Sequence, residues 1–373
     1  MHGDELLGTF LEPAGKVFRT IGQVRVGNDD EIQHAANVPS GNHPDTLGGP
    51  HVTSRSLLTV VASLAAATVL SMSVVAPADA IRTAVPETSG AAPSRPTTTH
   101  RVPGVEGDVV EVVAVGDMVC KPGSEVTATT CRHASTAALT KRIDPDAVLT
   151  LGDQQYETGS LFAFRHAYAD SWGALRGITY PVPGNHEYRT PRASGYYTYF
   201  DRRQPGSPGY YTTNLGRWRV YALNTNCAEI SCKKQAEWLV RDLAAHPRAC
   251  SLMTSHHPRY SSGEHGGEGL MRRFYRIALR HDVDLVLSGH DHHYERFARM
   301  NNRGQVTKRG VMQFVSGAGG KVHYSASGDV PGSAYTDDNT YGVLRLVLRK
   351  DSFDFSFRGI DGSTADEGTR SCT

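Results

Sequence analysis

Five apolar runs of this chain each stop in a polar cluster: "VGDMV", "LGDQQYE", "PGNHEY", "TSHHP" and "SGHDHHYER". The runs have strand length and composition, and segments of helical period separate several of them, so they predict a layered α/β architecture. In open α/β sheets, ligands bind just outside the carboxyl ends of strands, where loops gather. Five clusters of Asp, Asn, Tyr and His can therefore meet at one place. Taken singly, each has an ordinary reading. Asp117 or Asp153 would cap a helix, Asn185 would make a turn, and His256 would be a satisfied interior histidine. Coincidence across all five is the weaker account.

Within "SGHDHHYER", alternation along an extended segment places His290 and His292 on one face, and Asp291 and His293 on the other. A converging imidazole pair points to a metal. His256 and His257 are adjacent, so alternation lets only one of them face the same site. Downstream of "TSHHP", the loop "SSGEHGG" carries a further histidine between glycines.

The remaining pattern sets the frame. Helices are predicted near 134–142, 161–171 and 267–281. "GYYTTNLGRWRVYALNT" reads as two strands turning at Asn214–Gly216, and Ala236, Leu239, Val240 and Leu243 form an apolar helical stripe. The end is strand-rich, and no repeat or second domain is visible. With 39% hydrophobic residues the chain can build a core, and a formal charge of +1 without a dense basic block excludes a nucleic-acid or membrane-surface footprint, leaving a small substrate.

The first hundred residues read differently. The apolar run 56–80, "SLLTVVASLAAATVLSMSVVAPADA", follows Arg55 and ends in the small residues of a signal-peptidase site, which predicts a secreted protein; an uncleaved, membrane-anchoring signal is the alternative. Residues 1–55 form an extension of doubtful origin. Residues 81–107 are Pro, Thr and Ser rich and read as a disordered linker, and a single folded domain spans 108–373. All six cysteines lie beyond the cleavage point, as expected for disulfides in an exported chain. Sequence proximity favours Cys120–Cys131 and Cys227–Cys232, leaving Cys250 for Cys372, although six cysteines allow many other pairings.

The five clusters, over roughly residues 108–358, resemble the calcineurin-like metallophosphoesterases, and in particular their purple acid phosphatase branch. The superfamily opens with aspartate, any residue, histidine. Here Met118 and Val119 follow Asp117, and Tyr156, three residues after Asp153, is the substitution characteristic of the branch. The resemblance implies a four-layer sandwich of two mixed β-sheets flanked by helices. It also implies a dinuclear site, with Asp117, Asp153, Tyr156 and His292 on one ion and Asp153, Asn185, His256 and His290 on the other. The family pattern of histidine, any residue, proline selects His256. Hard carboxylate and phenolate donors favour Fe(III), and the imidazole-rich half suits Zn, Mn or Fe(II).

The resemblance implies that His186 faces the substrate as the catalytic proton donor with His265 assisting, and that His186, Glu264 and His265 bind substrate. Glu264 and His265 resemble a segment of the small mammalian-type enzymes in which the histidine contacts substrate. The implied reaction is hydrolysis of phosphate monoesters by a metal-activated hydroxide. A phosphodiesterase or nucleotidase on the same ligands is the enzymatic alternative, and a catalytically silent, metal-containing surface-binding protein is the alternative of another class. No stable membrane insertion is expected after signal cleavage.

Overall fold

The computed structural model describes residues 100–373, so the extension 1–55, the signal segment 56–80 and the linker from 81 to 99 lie outside the described residues. The strands are β1 (Val110–Val115), β2 (Ala147–Leu151), β3 (Thr179–Val182), β4 (Tyr211–Leu215), β5 (Trp218–Ala222), β6 (Ser251–Thr254) and β7 (Leu285–Ser288). They continue as β8 (Tyr294–Met300), β9 (Val311–Ser316), β10 (Ser333–Asp337), β11 (Gly342–Leu348), β12 (Ser352–Gly359) and β13 (Thr364–Ser371). One sheet runs β13-β12-β11-β1-β2-β3, the other β10-β8-β9-β7-β6-β5-β4. Both are mixed: β1, β2 and β3 are parallel, as are β5, β6, β7 and β9, while β11 joins β1 antiparallel.

Alternation along the strands builds the layers. Val112 and Ala114 of β1 face inward and pack with Leu149 and Leu151 of β2 against Val220, Leu252, Leu285, Leu287 and Phe314 of the other sheet. Val113 and Val115 face outward, under the helix His133–Ile143, the helical stretch 161–171 and the helix Ser194–Phe200. On the far side, Tyr221, Met253, Val286 and Val315 carry the helices Cys232–Ala245 and Arg272–Arg280. The result is helices, sheet, sheet, helices. Each fully buried Val, Leu or Phe contributes about 1.5–3 kcal/mol, so the inter-sheet layer is the main source of stability.

Two expectations change. Val240 is exposed, because one helix face covers the sheet with Ala236, Leu239 and Leu243, and Val240 lies at its edge. The linker does not reach 107. The Val102 and Val105 amides donate to Thr212 and Asn214 carbonyls of edge strand β4, each at 2.9 Å, and Val102 is buried. An open strand edge offers unpaired backbone groups, and this apolar segment satisfies them.

Three disulfides join Cys120–Cys131, Cys227–Cys232 and Cys250–Cys372, the pairing that sequence proximity favours. The last closes a span of 122 residues and ties the C-terminus to the start of β6. Among the described residues, no helix is long and apolar enough to cross a membrane.

Candidate metal centre

β1, β2, β3, β6 and β7 all end on the same rim, and the five polar clusters follow them there. The chain turns sharply in leaving the strands: Asp117, Asp153 and His290 have φ of 57°, 46° and 75°, in the left-handed region. Such backbone costs about 1–3 kcal/mol per residue unless its surroundings hold it. Here they do. The Asp117 amide donates to the Gly152 carbonyl at 3.2 Å, the Asp153 amide to Glu187 Oε2 at 3.0 Å, and the His290 amide to Asp117 Oδ2 at 2.8 Å. Two glycines permit the approach. At Gly152, with φ of 85°, a Cβ would lie 2.4 Å from the His256 ring, and at Gly289 one would lie 2.5 Å from Asp117 Oδ2.

Two groups of ligand-type atoms result. In the first, the Tyr156 hydroxyl lies 3.0 Å from Asp117 Oδ1 and 2.9 Å from His292 Nε2. In the second, His256 Nε2 lies 2.9 Å from Asn185 Oδ1, 3.2 Å from His290 Nδ1 and 3.4 Å from Asp153 Oδ2. Asp153 also has an oxygen close to ligand-type atoms of Asp117 and His256. The seven residues read from sequence as ligands are thus together, all but Asn185 and His290 fully or almost fully buried.

Their chemistry asks for cations. His256 Nδ1 donates to the Leu151 carbonyl at 2.9 Å and His292 Nδ1 to the Val322 carbonyl at 2.7 Å, which leaves the Nε2 lone pair of each ring aimed at oxygens and another imidazole. Acceptors facing acceptors in a buried place need positive charge between them. The titration behaviour says the same. Burial opposes a charge on His256, yet the Asp153 and Asp117 carboxylates push it up to about 10. Burial would raise Asp153, but His256 and then His186 hold it well below the usual carboxylate range. Burial pushes Asp117 far up. The residues present fit two cations.

Alternation is not what brings His290 and His292 together. β7 stops at Ser288, residues 290–293 form bends, and the positive φ of His290 turns the chain. Asp291 and His293 do sit behind. Asp291 accepts the His265 and Gly266 amides at 2.8 and 3.1 Å and the Ser261 hydroxyl, and His293 bonds Glu295 at 3.1 Å.

His186 Nδ1 donates to the Glu157 carbonyl at 2.7 Å, its ring packs 4.3 Å from that of Tyr156, and Nε2 lies 3.8 Å from Asp153 Oδ2. His265 is exposed and stacks on His290 at 4.5 Å. Glu264 is exposed, and its carboxylate has no hydrogen bond or ion pair with the described residues.

Several neighbours were not read from sequence. Glu187, fully buried, accepts the amides of Asp153, Gln155 and Gly184 at 3.0, 3.2 and 2.7 Å and so joins two ligand loops. Burial, then Asp153, pushes it up to about 8. Lys321 pairs with Glu157, and its ammonium lies 4.7 Å from the Tyr156 ring centre. Tyr324 stacks on His292 at 3.9 Å. Both lie in the loop after β9, which runs parallel to β7 and opens on the same rim. "VMQFVSGAGG" shows the same run-then-glycine pattern, but without an acid or histidine at its end.

The family model for calcineurin-like phosphoesterases matches residues 110–294. Over 199 residues, 46% of this chain, the sequence is 27% identical to purple acid phosphatase 15 of Arabidopsis thaliana, of which it covers 37%. Over 280 residues, 61% of this chain, it is 25% identical to tartrate-resistant acid phosphatase type 5 of Sus scrofa, of which it covers 80%. Among solved structures, a purple acid phosphatase from yellow lupin (Lupinus luteus) seeds has a similar fold, with a TM-score of 0.57 at 18% identity over 71% of this chain and 54% of that one.

Proposed function

The chain belongs to the calcineurin-like phosphoesterase family, in its purple acid phosphatase-like branch, and on that premise we propose that it is a secreted, dinuclear metal-dependent phosphatase acting on phosphate monoesters. The observation that carries this reading is the donor-poor cluster of Asp117, Asp153, Tyr156, Asn185, His256, His290 and His292 at the strand ends. Asp117, Tyr156 and His292 would hold one ion, Asn185, His256 and His290 the other, with Asp153 shared. Phenolate and carboxylate donors suit Fe(III), and the second set suits Zn, Mn or Fe(II). Bound there, two ions would supply Lewis acidity toward phosphate oxygens and lower the pKa of water.

The protein's own groups do the rest. With Nδ1 committed to the Glu157 carbonyl, His186 presents Nε2 to the site; its imidazolium form, which burial opposes and the Asp153 carboxylate favours, would donate the Nε2 proton to the departing alkoxide oxygen. His265, its backbone held by Asp291, would hydrogen-bond a phosphate oxygen. A monoester dianion keeps three non-bridging oxygens for such contacts, and a diester gives one of them up to a second ester group. Export is supported by three disulfides and no free cysteine among the described residues.

The test is turnover of a chromogenic phosphomonoester and its diester analogue by protein taken from the medium, with mass analysis of its N-terminus. Faster monoester turnover by a chain beginning at Ile81 is expected. A preference for the diester, or retention of residues 1–80, would defeat the corresponding half of the proposal.

A further inference from the structure

Strand alternation turns His257 away from the face that His256 occupies. The structure does otherwise. β6 ends at Thr254, the chain bends, and the His257 ring comes to lie 5.0 Å from that of His256 and 4.6 Å from that of His290. Its protonation pattern follows from one neighbour. Thr225 Oγ1 accepts the His257 backbone N–H at 3.3 Å and lies 2.8 Å from Nδ1 of the ring. No other acceptor for the Thr225 hydroxyl exists among the described residues, so its proton goes to Nδ1. The ring proton then sits on Nε2, which makes that nitrogen a donor and removes the lone pair a metal would need.

His257 lines a cavity of about 360 Å³ together with Asn185, Tyr188, Asn226, Ala228 and Leu270, and the exposed, charged side chains of Arg189 and Glu229 also line it. Asn226 Nδ2 is occupied by the Pro183 carbonyl at 3.2 Å and Asn224 Oδ1 at 3.0 Å, and its own Oδ1, without a partner among the described residues, is an acceptor. Ala228, Leu270 and the Tyr188 ring add carbon surface. The disulfide Cys227–Cys232 pins the rim. The inner end is Asn185, one of the proposed ion ligands, and His186 belongs to the turn that also supplies Tyr188.

We propose that this cavity is the leaving-group subsite, that His257 Nε2 and Asn226 Oδ1 are its donor and acceptor, and that it selects phosphate esters of polyhydroxylated alcohols. This rests on the phosphatase reading. A hydroxyl both donates and accepts, so His257 Nε2 and Asn226 Oδ1 beside carbon surface match a hydroxyl on a short carbon frame, and Arg189 and Glu229 add a further donor and acceptor for a second hydroxyl. Asn185 belongs both to the ion cluster and to the cavity lining, so an ester with its phosphate at the cluster would reach the cavity with its alcohol.

Glycerol 2-phosphate and isopropyl phosphate share a carbon frame and differ in two hydroxyls, which makes their kcat/KM ratio the readout. The wild-type enzyme should favour glycerol 2-phosphate. His257→Phe should lower the ratio roughly tenfold, near the upper end for one neutral hydrogen bond, and His257→Gln should restore part of it. Elemental analysis of both variants should still find two ions. Ala228→Trp, at the exposed rim, tests the cavity without touching His257 and should lower kcat/KM for both C3 esters relative to methyl phosphate. An unchanged ratio in His257→Phe, loss of an ion from it, or indifference of Ala228→Trp to ester size overturns the subsite. Absence of turnover of all three esters by the wild type overturns the phosphatase reading itself.

Discussion

The corner built by Asp117, Tyr156 and His292 offers two oxygens and one nitrogen, whereas the corner of Asn185, His256 and His290 offers one amide oxygen and two nitrogens. Their supports differ as well. Asp117 and Tyr156 follow strands of the six-stranded sheet, and the loop after β9 backs their corner with Val322 and Tyr324. His256 and His290 follow strands of the seven-stranded sheet and join Asn185, which follows β3 of the other. Each corner therefore straddles the seam between the sheets, and Asp153 belongs to both. A buried ion in either would satisfy lone pairs contributed by two sheets at once, so the same residues that prepare the chemistry also close the sandwich at its rim.

Removing the shared carboxylate should erase the difference between the corners. In Asp153→Ala both ions should be lost and turnover should fall to background, and elemental analysis showing either ion retained would break the shared-ligand assignment. Next in size is the contrast between His186 and His256. His186→Ala should reduce kcat by about 10² to 10⁴ with both ions in place, the range of acid–base groups. His256→Ala should lose the ion of the nitrogen-rich corner. Equal metal loss in the two variants would merge roles that are kept separate here.

Chelation sharpens the comparison through stability. An ion at a concentration 100 times its Kd adds about 2.7 kcal/mol, so stripping the centre should lower Tm by several degrees in a calorimetric scan, and an unchanged Tm would mean that the seam does not depend on the ions. The smallest expected effects separate the corners further. Tyr156→Phe should remove visible phenolate-to-Fe(III) absorption, and a colourless wild-type enzyme at full activity would refute iron in that corner. At a pH above about 8, where the Glu187 carboxylate is ionised, Glu187→Gln places an amide –NH₂ against a backbone N–H that the carboxylate satisfies. It should cost about 1–3 kcal/mol in urea unfolding with little change in metal content, and a stability equal to wild type would remove Glu187 as the tie between the two loops.

Residue type and order were enough to pick out the residues that cluster as candidate ligands. Carboxylates, an amide, a phenol and imidazoles placed after short apolar runs are legible because strand ends of parallel neighbours open on one rim, whatever the details of the loops. Hydrophobic alternation likewise made both sheets and most helices readable, and cysteine proximity matched the disulfides. What sequence could not carry was direction within a turn. His257 was expected to face away and lies beside His290, and His290 and His292 are brought together by a bend at positive φ instead of by alternation. Lys321 and Tyr324 reach the site from positions that carry no local signal, and Glu187, although inside the cluster "PGNHEY", shows nothing there of its part in tying two loops, because a side chain's partner across 32 to 164 residues is chosen by packing. Periodicity records which face of a regular element is buried. Once the chain leaves a strand, the hydrogen bonds and close contacts of the folded rim alone decide where each side chain points.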